Sequence, residues 1–138
     1  MKPIQGIGLP EVVSLYSGTQ GDFMQLLFGQ QIHIGGMNAT IELAKQAAIG
    51  AGQKGIDLCC CNGAGMRCLV RFCGVASMIG VDATEAVVER GRKRCREEGL
   101  QDRIQLVHAD ACESWLTSAS ADFVWGKMLG ATWPTSRG

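Results

Sequence analysis

No run of apolar residues in this sequence approaches the roughly 20 needed to span a bilayer, and none of its seven cysteines belongs to a C-x-x-C pair. Neither of its two histidines, His33 and His108, therefore stands at zinc-ligand spacing from such a pair. No metal site is therefore expected. Cysteines 59, 60, 61, 68, 73, 95 and 112 are odd in number and three are adjacent, which makes a poor disulfide framework. They read instead as reduced, small apolar residues. The formal net charge is zero, so neither nucleic acid nor an anionic membrane is expected as a partner. The N-terminus lacks the basic-then-apolar pattern of a secretory leader, and a cytoplasmic location is the expectation.

What is present suits one domain. The chain has 138 residues, 46% of them hydrophobic, enough for a core at this size. No repeat interrupts it. Residues 10–50 read as helices joined by glycine turns. Asp22 and Gln25 form a capping-box pattern ahead of an apolar stretch closed by Gly29. Asn38 is expected to cap a second helix, with Ile41, Ala44, Ala47 and Ala48 on one face and Gly50 at its end.

From Gly52 the rhythm changes. Residues 54–60 form a short apolar run broken by Asp57 and followed by a loop with Gly63 and Gly65. Residues 66–72 predict a helix, and 76–81 a buried strand ending at Asp82. Residues 84–98 predict a charged helix with Val87, Gly91 and Cys95 on one face. Residues 104–108 and 122–125 predict two further strands. Such alternation predicts an α/β fold: an incomplete doubly wound parallel sheet of order 3-2-1-4 with an N-terminal helical segment.

Ligands of open parallel sheets bind beyond the carboxyl ends of the strands. Asp57 precedes the loop, Asp82 ends the second strand and Asp110 follows the third. A carboxylate in the position of Asp82 suits a ribose diol. The loop glycines permit close backbone approach to a ligand. Gly63-x-Gly65-x-x-Cys68 also mimics a dinucleotide fingerprint, with Asp82 near the spacing expected of it.

Over residues 50–126 the array resembles the class I, Rossmann-like S-adenosylmethionine (SAM)-dependent methyltransferases. Their first motif, acidic-x-G-x-G-x-G, is matched by Asp57-x-Cys59-x-Cys61-x-Gly63, with cysteine in place of two glycines. Val81-Asp82, Asp110-Ala111 and residues 122–126 match the later motifs. The resemblance implies SAM as cofactor. It puts Asp57 toward the methionine amino group, with Cys59, Cys61 and Gly63 under the cofactor. Asp82, with Ala83 beside it, falls at the ribose hydroxyls, and Asp110 and Ala111 at the adenine. Residues 16–37, with Tyr16, are similar to the N-terminal cover of small-molecule methyltransferases of the sarcosine/dimethylglycine N-methyltransferase type.

The resemblance thus divides the chain into a helical cover (1–50), a SAM-binding half-domain (51–126) and an irregular tail (127–138). It implies a methyltransferase acting on a small molecule, an amine among the candidates. Methyl transfer needs alignment more than acid-base chemistry, so no catalytic triad is expected. Relative to the family the chain reads as truncated after the fourth strand. A non-catalytic SAM-binding module or interaction protein is the alternative. The exposed fourth strand predicts a homo-oligomer. Trp125 is expected in the core, while Trp115 either flanks the adenine or packs under the sheet. The basic residues of the 84–98 helix interleave with Glu85, Glu89, Glu97 and Glu98, a solvated helix face. Where the cysteines replace glycine, positive φ would cost on the order of 1 kcal/mol.

Overall fold

The tertiary structure, a computed structural model, describes residues 36–110 and 121–126 and positions 10, 13, 14 and 17–19. Its elements are α1 (Gly36–Gln46), β1 (Lys54–Leu58), α2 (Ala64–Phe72), β2 (Ser77–Asp82), α3 (Glu85–Glu97), β3 (Ile104–His108) and β4 (Phe123–Gly126). The strands form one parallel sheet in the order β3-β2-β1-β4, the order expected from strand–helix alternation. Tyr16, His33, Ala111, Trp115, the Asp22–Gln25 capping box and residues 127–138 lie outside the described residues.

Register places the ligand edge. Asp57 stands between Gly80 on β2 and Trp125 on β4. Val81 and Asp82 pair with Val107 and His108 on β3. The Ala109 amide then donates to the Asp82 carbonyl at 3.0 Å, so Asp82 and the approach to Asp110 reach the same end of the sheet. At the opposite end Asp122 anchors β4: its amide donates to the Lys54 carbonyl, and its carboxylate accepts from the Lys54 amide, both at 2.7 Å.

The core lies between the helices and one face of the sheet. Met66, Leu69 and Val70 of α2 and Val88 and Cys95 of α3 meet Met78, Ile104, Leu106 and Trp125. Met66, Leu69 and Val88 are fully buried, and burial of such a side chain stabilises by about 1.5–3 kcal/mol. The α3 face buries Val87, Val88, Gly91 and Cys95, as the spacing requires. On its outer side Glu89 pairs with Arg92, and Glu97 with Lys93 and Arg94.

The first described helix departs from expectation. It starts at Gly36, so Asn38 lies inside it and is exposed rather than capping. Its buried face is Thr40 and Ala44, and Ala47 and Ala48 are exposed. Thr40 is tolerated there because its hydroxyl bonds back to the Gly36 carbonyl, at 3.4 Å. Ala48 turns left-handed (φ 55°) and stops the helix short of Gly50. Among the described residues no helix is long and apolar enough to cross a membrane.

Candidate functional site

The loop between β1 and α2 is built from alternating left-handed turns. Cys59 and Cys61 have φ of 56° and 55°, and Gly63, the residue that opens α2, has 76°. The strand stops at Leu58 because Cys59 leaves the extended region. An L-residue in this conformation costs roughly 1–2 kcal/mol, so each cysteine is held where glycine would rest unstrained.

Hydrogen bonds hold the loop in place. The Cys60 amide donates to the Val81 carbonyl at 2.9 Å. The Cys61 amide donates to Asp82 Oδ2 at 2.9 Å, and the Thr84 amide to Asp82 Oδ1 at 2.9 Å. One carboxylate therefore ties the loop to the start of α3. Each Asp82 oxygen still has a second lone pair for a ligand hydroxyl. The Gly63 amide donates to the Cys60 carbonyl at 2.9 Å and the Ala64 amide to Asn62 Oδ1 at 3.1 Å. Thus the Gly63 and Ala64 amides at the mouth of α2 are already taken by protein acceptors.

Cys60 points inward. Gly80 leaves the space for it, since a Cβ there would collide with the Cys60 side chain and Met66 Cε. Burial, then the charges of Asp57 and Asp82, push the Cys60 thiol far above its ordinary value. Cys61 is pushed up to about 12, chiefly by burial and then by Asp82. Neither thiol ionises near neutral pH, so the negative charge at this edge belongs to the carboxylates. Among the described residues no group of histidine, cysteine and acidic residues is arranged to hold a metal ion.

The predicted residues fall as follows. Asp57 is buried in β1 at the foot of the loop. Cys59 is exposed and Cys61 half-buried. Asp82 and Ala83 are half-buried at the end of β2, with the His108 ring 3.0 Å from the Ala83 carbonyl. Asp110 is half-buried just after β3. Three carboxylates and the loop thus share the carboxyl end of the sheet. Trp125 is 4% exposed in the core, as expected.

Four contributors were missed in the sequence. Asn62, whose Oδ1 accepts the Ala64 amide in an Asx turn just before α2, had a readable signal. Thr84 is buried through its place beside Asp82. Gly91 lets α3 approach the loop closely: a Cβ there would lie 2.6 Å from the Asn62 carbonyl oxygen. Arg67 is 3% exposed, although arginine ordinarily reads as a surface residue. An open groove of about 700 Å³, lined in part by Ser77, Arg92, Arg96 and Arg103, lies by the amino-terminal ends of β2 and β3. None of the three carboxylates lines it.

The strand order and the acidic carboxyl edge define a Rossmann-like domain of the class I methyltransferase type. The methyltransferase domain family matches residues 56–137, more than half of the chain, and the chain belongs to that family. It is 27% identical over 124 residues to the methyltransferase GfsG of Streptomyces halstedii, covering 80% of this chain and 44% of that protein. It matches phosphoethanolamine N-methyltransferase 2 of Haemonchus contortus, solved with S-adenosyl-L-methionine, at 25% identity and a TM-score of 0.72. That match covers 88% of this chain and 29% of the other. A Galdieria sulphuraria protein assigned as a sarcosine dimethylglycine methyltransferase shares the fold at 23% identity and a TM-score of 0.69, over 80% of this chain and 48% of its own. The chain therefore spans less than half the length of each of these relatives.

Proposed function

We propose that this chain binds SAM through the β1–α2 loop and the carboxyl ends of β2 and β3, as part of a methyltransferase acting on a small-molecule acceptor of the amine class. The observation that carries the reading is the donor and acceptor balance of this edge. SAM offers hydrogen-bond donors along its length: an ammonium, a ribose diol and an adenine amino group. Asp57, Asp82 and Asp110 supply acceptors in the same sequence. A dinucleotide instead needs free amides for its pyrophosphate, and the Gly63 and Ala64 amides are already engaged.

In this reading Asp57 takes the amino group and Asp82 the diol. Asp110 and the Ala111 amide take the adenine. Cys59, Cys61, Gly63 and Ala83 line the cofactor, and Tyr16 belongs to the cover. When bound, SAM supplies an electrophilic methyl group, and the protein's part is to align it with the acceptor. The strain at Cys59 and Cys61 favours one other reading, a SAM-binding module without turnover. An assay of labelled methyl transfer from SAM to a panel of small amines, on protein of verified mass, is expected to give transfer above the enzyme-free blank. Binding without transfer across the panel would select the module instead.

Two further parts of the proposal concern the setting. The six free cysteines among the described residues suit a reducing, cytoplasmic compartment. The pairing of α3 cations with Glu89 and Glu97 leaves nucleic acid outside the reading. β4 pairs with β1, and Val124 on it is 64% exposed, which supports a homo-oligomer formed along this strand. Light scattering on dilute protein is expected to give a mass above that of one chain. A single-chain mass at micromolar concentration would retire the oligomer.

A further inference from the structure

Behind the β1–α2 loop stands a buried arginine that the cofactor contacts proposed above do not use. Arg67 lies on α2 at 3% exposure. Its Nη1 donates to the Asn62 carbonyl at 2.6 Å, and its Nε lies 3.4 Å from Glu98 Oε2. It also hydrogen-bonds the Cys95 side chain. The guanidinium thus joins three places: the loop, the interior of α3 and the residue that closes α3. Burial lowers its proton affinity and the Glu98 charge opposes that effect.

The bond to Asn62 has a particular consequence. Asn62 sits between two left-handed residues, Cys61 and Gly63. Returning Cys61 or Gly63 to an ordinary φ would turn the adjoining peptides and swing the Asn62 carbonyl off the guanidinium. In a glycine loop the left-handed turn costs little. With cysteine at 59 and 61 the loop needs an outside hold. We propose that Arg67 is a positioning residue for the cofactor, fixing the Asn62 carbonyl and so keeping the strained cysteine turns in the shape that accepts SAM.

This rests on the SAM reading, and the test separates the two. Removing Arg67 alone strands the partly buried Glu98 carboxylate, whereas removing both charges together is far better tolerated. The variant is therefore Arg67→Met with Glu98→Met, compared with Arg71→Met. Arg71 is the other cation beside Glu98, at 3.6 Å, and is half-exposed. Calorimetry with S-adenosylhomocysteine, at a temperature where every variant is folded, is expected to show about tenfold weaker binding for the double variant and no change for Arg71→Met. Adding Cys59→Gly and Cys61→Gly is expected to recover most of that loss, because glycine needs no hold. A merely structural arginine would lower the melting temperature without this recovery. Equal affinity in wild type and double variant overturns the proposal while leaving the SAM reading intact. If wild type binds no S-adenosylhomocysteine, the SAM reading fails, and amide hydrogen exchange without ligand decides the role of Arg67. Faster exchange at Gly63 and Ala64, with β2 unchanged, supports it. Unchanged or uniformly faster exchange overturns it.

Discussion

Asp82→Ala is expected to weaken S-adenosylhomocysteine binding by roughly 10- to 150-fold. The lost contacts are hydrogen bonds to a charged group, worth about 1.5–3 kcal/mol. In the proposed site Asp82 acts twice: its two oxygens accept the Cys61 and Thr84 amides, and their remaining lone pairs would take the diol. Its removal therefore takes away the diol contacts and releases the loop. Asp82→Asn is the intermediate case, since its single carbonyl oxygen keeps one of the two oxygen acceptors. Calorimetry is expected to rank wild type above Asn and Asn above Ala. An unchanged dissociation constant in both variants would remove Asp82 from the site.

Gly91→Ala is expected to destabilise the fold, opposite to the usual helix preference. Within a helix alanine is favoured over glycine by about 1 kcal/mol. Here the added Cβ would lie 2.6 Å from the Asn62 carbonyl oxygen and 2.6 Å from Leu106 Cδ2. The Asn62 oxygen is backbone, and it is also held by Arg67, so it has little room to withdraw. Overpacking of this kind costs about 1–3 kcal/mol. At this size that lowers the melting temperature by roughly 4 °C per kcal/mol. Loss of ligand affinity should accompany it, because α3 can relieve the contact only by moving off the loop. A melting temperature equal to or above wild type would show that the approach of α3 to Asn62 is looser than described.

Much of the architecture was legible because hydrophobic period and turn residues agreed. β3 occupies residues 104–108 as the pattern required, and the spacing of Val87, Gly91 and Cys95 set the buried face of α3. Elsewhere boundaries moved by one to three residues for local reasons. β1 ends at Leu58 because Cys59 turns left-handed, and α2 begins at Ala64 because Gly63 does so as well. α1 was misread at both ends, since Asn38 offers a capping side chain but Gly36 supplies the turn that opens the helix.

The acidic edge was readable from the placement of Asp57, Asp82 and Asp110 at strand ends. Its inner support was not. A sequence cannot show that both Asp82 oxygens are bonded to amides, or that Arg67 is buried. Both depend on how a strained loop meets a helix that lies well beyond it in the sequence. Arginine carries no local signal of burial, and the positive φ of Cys59 and Cys61 was legible only through the motif in which glycine stands at those places.

An edge built for SAM and not for a dinucleotide should discriminate between the two in solution. The direct measurement is parallel calorimetric titration of the 138-residue chain with S-adenosylhomocysteine and with NAD. Tighter binding of S-adenosylhomocysteine is expected, because Asp57, Asp82 and Asp110 would meet its donors while the Gly63 and Ala64 amides at the mouth of α2 are already bonded. Tighter binding of NAD would contradict it.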